Sequence, residues 1–120
     1  MTQTHLEIRV HPGQRDTAVA AFKERRVFEE CSAAIAGFLG AELLVSPDDP
    51  DVLWVVAHWQ NRESAKAWMT NPVREAQNQD LSRYASEPPV SRLLEQAGYA
   101  HSPQNNRSLR SDKAKKGPNT

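Results

Sequence analysis

The stretch VLWVVAHWQ, from Val52 to Gln60, constrains the fold more than any other part of the chain. Apart from His58 and Gln60 it is built of β-branched, aromatic and other apolar residues, with no glycine or proline. Such residues fit a pleated, buried surface and disfavour a loop. Successive strand side chains point to opposite faces. Leu53, Val55, Ala57 and Trp59 therefore share one face, and Val52, Trp54, Val56 and His58 the other. Both faces are largely apolar, so this strand needs cover on both sides.

The flanking segments supply its neighbours. In GFLGAELLVSP, Leu39, Ala41, Leu43 and Val45 alternate with Phe38, Gly40, Glu42 and Leu44, which predicts a second strand. The turn-forming SPDDPD between the two stretches makes them an antiparallel hairpin. Nearer the start, Leu6, Ile8 and Val10 alternate with His5, Glu7, Arg9 and His11, and Pro12-Gly13 ends that strand. From about Asp16 to Ala34 the chain has no glycine or proline and is rich in Ala, Glu, Lys and Arg, which predicts one long helix with Asp16 or Thr17 as its cap. Val19 and Phe22, then Phe28, Cys31 and Ile35, mark its buried stripe, with a drift near Arg25-Arg26. Gly37 stops it.

After the hairpin, Asn61 is a good cap for a helix from about Arg62 to Met69, and Asn71-Pro72 starts another reaching about Tyr84, with Val73, Ala76, Leu81 and Tyr84 partly buried. The run VSRLLEQAG has helical spacing at Val90, Leu93, Leu94 and Ala97, but it is short and follows Pro88-Pro89, so residues 90–97 are open between helix and strand. Element order favours a strand. The expected fold is α+β: a ferredoxin-like βαββαβ unit, with an antiparallel four-stranded sheet and helices on one face. The other sheet face is then bare, and a second copy of the chain is its simplest cover, making a homodimer.

Charge and composition narrow the function classes. The chain has 120 residues and no net charge, but from Ala100 to Thr120 there are five basic residues and one acid. The remaining 99 residues hold 10 basic and 14 acidic groups, a net −4, which is unlike a nucleic-acid reader. A mean hydropathy of −0.70 fits a folded domain over residues 1–99 followed by a polar, basic and disordered tail over 100–120. Cys31 is the single cysteine, so neither an intrachain disulfide nor a cysteine metal cluster can form. No apolar run approaches the roughly 20 residues of a membrane span. MTQTHLEIRV lacks the pattern of a signal peptide. The expectation is a cytoplasmic protein with no membrane or nucleic-acid partner.

GFLGAELL, the DDP turn, VLWVVAHWQNRESAKAW and the following NP together resemble the antibiotic biosynthesis monooxygenase domain family. The resemblance covers roughly residues 4–97; Gly37-Phe38-Leu39-Gly40, Trp59 and Trp68 carry it most clearly. It implies a ferredoxin-like protomer that pairs into a dimeric α/β barrel, with a pocket between helices and sheet. Some members oxygenate aromatic, polyketide-like molecules with molecular oxygen and no metal or flavin. Relatives degrade heme or act on quinols, and others have no known activity.

The expected function is cofactor-independent monooxygenation of an aromatic or quinol-like small molecule; the alternative is a non-catalytic dimeric module that binds a small ligand. Trp68 and His58 are the catalytic candidates. Trp68 can offer its indole N–H, or be plain core; His58 can act as a base, or sit at an interface or edge. Phe22, Phe38, Asn61 and Tyr84 are the candidate substrate contacts; the competing readings are a helix cap for Asn61, a surface helix for Tyr84 and the adjacent Arg83, and core packing for Phe22 and Phe38 whether or not they touch a ligand. Where some oxygenating members place an asparagine one turn before the helix tryptophan, this chain has Ser64. Where heme-degrading relatives place a ligating histidine this chain has Gln77, and Leu6 replaces their first-strand asparagine, so heme use is disfavoured. No metal site is expected, because His5, His11 and His101 fall at a strand start, a turn and the tail.

Overall fold

The computed structural model describes residues 1–103. The tail expected over residues 100–120 falls outside the described residues from position 104 onward. The elements are β1 (Thr2–Arg9), α1 (Arg15–Arg25), α2 (Val27–Ala34), β2 (Phe38–Val45), β3 (Val52–Trp59), α3 (Arg62–Met69), α4 (Pro72–Leu81) and β4 (Val90–Glu95), with a single 3-10 turn at Ser82–Tyr84 after α4. The sheet order is β2-β3-β1-β4 and every neighbouring pair is antiparallel. This is the βαββαβ arrangement, with each of its two helical crossovers divided in two.

The apolar β3 takes a central place. Trp59 pairs with Thr2 and Leu53 with Ile8 on β1, while Phe38 and Val45 of β2 oppose the same two β3 residues. The open segment 90–97 resolves as strand: Val90–Glu95 pairs along β1, with Leu93 opposite Thr4. Its helical spacing loses to the free edge of β1, whose backbone donors and acceptors need partners. Two clusters fill the space beneath the helices. One joins Ile8, Val10, Ala18, Phe22, Val27 and Leu53; the other joins Cys31, Ile35, Ala57, Trp59, Ala65 and Trp68.

Several details depart from the sequence reading. The long helix over 16–34 is broken at Arg26, which adopts φ 59° and ψ 46°, the left-handed region, before α2 restarts at Val27. The break is the structural form of the drift in the apolar stripe. It brings Arg25 onto Glu30 and onto Asp80 of α4. Neither Asp16 nor Thr17 caps α1: Gln14 flanks it without a side-chain bond. Arg15 instead donates to the carbonyls of Ser46 (2.8 Å) and Asp49 (2.9 Å), tying the helix start to the β2–β3 loop. Finally, Ala76 is exposed and α4 ends at Leu81, short of the expected Tyr84.

Strand β2 carries a bulge between Phe38 and Gly40, and Gly40 has a φ of 155° that glycine accommodates most readily. The extra residue, Leu39, moves Phe38 onto the face shared by Ala41 and Leu43, toward the helices. Simple alternation had placed it on the other face. Just before the bulge, Gly37 lies against α3 so closely that an added Cβ would fall 2.0 Å from Ser64 Oγ and 2.7 Å from Ser64 Cβ. A glycine and a small residue are needed at this crossing.

Two stability outcomes follow. Gly37→Ala destabilises the fold by about 1–3 kcal/mol through overpacking, and Ser64→Gly in the same chain restores part of the loss; chemical denaturation of the four proteins of that cycle measures both. Arg26→Gly relieves the left-handed cost of a side-chain-bearing residue and stabilises by about 0.5–1 kcal/mol, read as a rise in thermal midpoint; a fall would show that the exposed Arg26–Glu29 pair matters more than the backbone.

Candidate active site

The gap between the two core clusters is a cavity of about 460 Å³ bounded by the sheet on one side and α1, α2 and α4 on the other. Its floor is Leu6, Ile8, Val55, Ala57 and Ala41 from the strands. Phe22, Phe28, Phe38 and Trp68 supply aromatic walls. Polar groups are few, and most come from α4 and the segment behind it: Arg74, Gln77, Asn78, Ser82 and Tyr84. Pro88 and Pro89 border it as well. A chamber of this size and lining suits a flat, largely apolar small molecule.

The two central tryptophans are differently occupied. Trp59 is fully buried, packs edge-on to Phe38 at 5.5 Å between ring centres, and donates its indole N–H to Thr4 Oγ1 at 3.0 Å. Trp68 lies 6.3 Å from Trp59 in a tilted stack and is 8% exposed. Its indole N–H has no hydrogen-bond partner among the described residues, although buried indoles usually find one. Trp68 is therefore a lining residue whose indole donor is unused among the described residues.

Four of the six residues expected at the site meet in this cavity: Trp68, Phe22, Phe38 and Tyr84. The other two do not line it. His58 pairs with Gln3 and Gly40 and alternates with Ala57 and Trp59, so it stands on the sheet face away from the helices. The pocket membership expected for it is corrected by that register. Asn61 is the cap of α3, its side chain accepting from the Ser64 N–H at 2.9 Å, and it is exposed. Ser64 faces Gly37 and is likewise outside the cavity lining. Tyr84 sits with Arg83 over its ring, 5.1 Å from the centre.

The sequence reading passed over Gln77, Arg74 and Cys31 as site groups. Gln77 is 4% exposed and donates through Nε2 to the Val27 carbonyl (3.2 Å) and to Glu30 Oε1 (3.0 Å). The signal was present in its spacing: Val73, Gln77 and Leu81 fall four residues apart, placing a polar residue within an apolar stripe. Glu30 is held below the usual carboxylate range, first by its hydrogen bond from Arg25 and then by that from Gln77. Arg74 reaches back to the Met69 carbonyl at 3.4 Å and has no carboxylate partner among the described residues. Burial pushes the Cys31 thiol up to about 12, so it is a neutral wall group at physiological pH. Among the described residues no cluster of three or more His, Cys, Asp or Glu side chains could hold a metal ion, and no helix is long and apolar enough to cross a membrane.

Comparison with solved structures places this architecture among known ones. Rv0793 from Mycobacterium tuberculosis superposes with a TM-score of 0.67 at 14% identity, covering 83% of this chain and 98% of its own. SnoaB, a cofactor-independent oxygenase from Streptomyces nogalater, gives 0.64 at 14% identity over 82% of this chain and 94% of its own. The NE2512 protein of unknown function from Nitrosomonas europaea gives 0.64 at 17% identity over 84% and 93%. At these identities the likeness establishes the fold. No curated protein matches the chain by sequence. The family model described as "Antibiotic biosynthesis monooxygenase" matches residues 1–79, about two thirds of the chain, and the protein belongs to that family.

Proposed function

We propose that this protein is a cofactor-independent monooxygenase that oxidises an aromatic or quinol-like small molecule with molecular oxygen in the cavity beside Trp68. The observation that carries the reading is the aromatic-walled chamber of about 460 Å³ with an unpartnered buried indole N–H on its wall. Family membership supports it. So does the shared fold with SnoaB, itself described as a cofactor-independent oxygenase.

In such a reaction the substrate supplies the electrons. An activated ring CH₂ becomes C=O; one oxygen atom of O₂ enters the product and the other leaves as water with the two hydrogens. Chemistry of this kind starts from the substrate anion, which passes an electron to oxygen. Trp68 is the proposed catalytic residue, donating to the negative charge as it develops. Arg74, which also lines the cavity, supplies positive charge that favours the ionised substrate. Phe22, Phe38 and Tyr84 hold the rings. The alternative, a non-catalytic ligand-binding module, is favoured by one observation: no histidine lines the cavity.

The second part of the proposal is a homodimer. The sheet face away from the helices carries Trp54, Val56, Leu44 and Leu94, with Leu44 45% and Leu94 46% exposed. A second copy of this face would cover them, with His58 at that contact. A cytoplasmic location belongs to the same proposal.

Oxygen uptake with a panel of anthrones and hydroquinones tests the reaction. Turnover is expected in the wild type; Trp68→Phe lowers it by about 10²-fold, as loss of a transition-state donor does, whereas His58→Ala keeps it. Saturable quenching of tryptophan fluorescence without oxygen uptake identifies the binding module instead. Neither signal across the panel overturns both readings. Sedimentation tests the dimer: wild type runs at twice the chain mass, and Leu44→Asp combined with Leu94→Asp shifts it to the single-chain species. A monomeric wild type would refute the covered face.

A further inference from the structure

We infer that Gln77 is a specificity-determining residue of the cavity, its side-chain oxygen selecting ligands that carry a hydroxyl or other hydrogen-bond donor. The inference deepens the proposed function and rests on the cavity being a ligand site. Gln77 is the buried polar residue of the cavity lining, at 4% exposure. Both hydrogen bonds recorded for its side chain start from Nε2, one to the Val27 carbonyl and one to Glu30 Oε1. A carbonyl and a carboxylate only accept, so the amide nitrogen must face them. That settles the amide's orientation chemically and leaves Oε1 with no partner among the described residues.

A buried acceptor without a partner is unfavourable and gains from any donor brought to it. The lining also offers apolar surface from Phe22, Phe28, Val27 and Leu81, while Arg74 and Asn78, its other polar groups on α4, are far less buried than Gln77. A phenol meets both demands, its ring against the apolar walls and its O–H toward Gln77 Oε1. Glu30 acts as the positioning residue. Arg25 donates to the same Glu30 Oε1 that receives Gln77, and Arg25 also holds Asp80 of α4, so three helices converge on the amide's nitrogen side. With Glu30 ionised, a flipped amide would set its oxygen against a carboxylate, which repels it.

Two probes that differ by one hydroxyl test this in the full-length protein: 2-naphthol and naphthalene, with dissociation constants from tryptophan fluorescence and calorimetry. Wild type is expected to prefer 2-naphthol by about tenfold or more. Gln77→Met, of similar size but without the amide, should lose that preference through weaker naphthol binding, with naphthalene unchanged or tighter. Glu30→Gln, whose amide can donate to a flipped Gln77, should reduce the preference while leaving naphthalene affinity unchanged. Circular dichroism confirms that each variant folds, and Glu30→Gln carries the test if Gln77→Met does not. If both probes bind wild type equally, or the preference survives both substitutions, the assignment to Gln77 falls while the cavity reading stands. If neither probe binds wild type, the cavity reading falls and takes this inference with it.

Discussion

The burial of Trp59 is the constraint on which the rest of the architecture depends. A fully buried indole must satisfy its N–H, and the Thr4 hydroxyl does so across the β1–β3 pair at 3.0 Å. A one-residue slip of that pair would turn the indole away from the helices and strand the N–H. With the register held, Phe38 and Trp68 both pack against the ring, which sets where β2 begins and how α3 crosses the sheet. The Gly37–Ser64 crossing then lets α3 approach closely enough for Trp68 to reach the cavity wall. Two tryptophans a few residues apart thus perform different tasks: one is satisfied internally and fixes the frame, the other is left with a donor to offer.

Much of this was legible in the residues, and the parts that were not have physical reasons. The strands announced themselves by alternation, and Asn61 and Asn71 by their place before helices; both side chains accept the expected backbone N–H. The final strand could not be separated from a helix by period, because six residues contain too few repeats of either; the unpaired edge of β1 decided it. The break at Arg26 was invisible because the left-handed residue is not a glycine. The bulge at Leu39 reversed the face of Phe38 because alternation presumes an uninterrupted ladder. His58 was read onto the correct face, but that face belongs to the sheet surface away from the helices, so its chemistry and the cavity's are separated by the thickness of the sheet.

The polar groups of the cavity are arranged asymmetrically. The strands contribute an almost wholly apolar floor, and α4 contributes Arg74, Gln77 and Asn78 within little more than one turn. A ligand lying on the floor therefore meets most of its polar contacts from the α4 side. The Arg25–Glu30–Gln77 chain that orients one of these groups exists because the helix is interrupted between Arg25 and Val27, so the interruption in α1–α2 and the polarity of α4 are parts of one device.

Cys31 gives the chamber a further property. Burial raises the thiol to about 12, so at neutral pH it stays protonated. The thiolate is the form that attacks peroxides, so sulfur in this wall is slow to reach the sulfenic acid stage. The lining of this chamber can thus keep a soft, space-filling sulfur atom that stays in its unreactive thiol form.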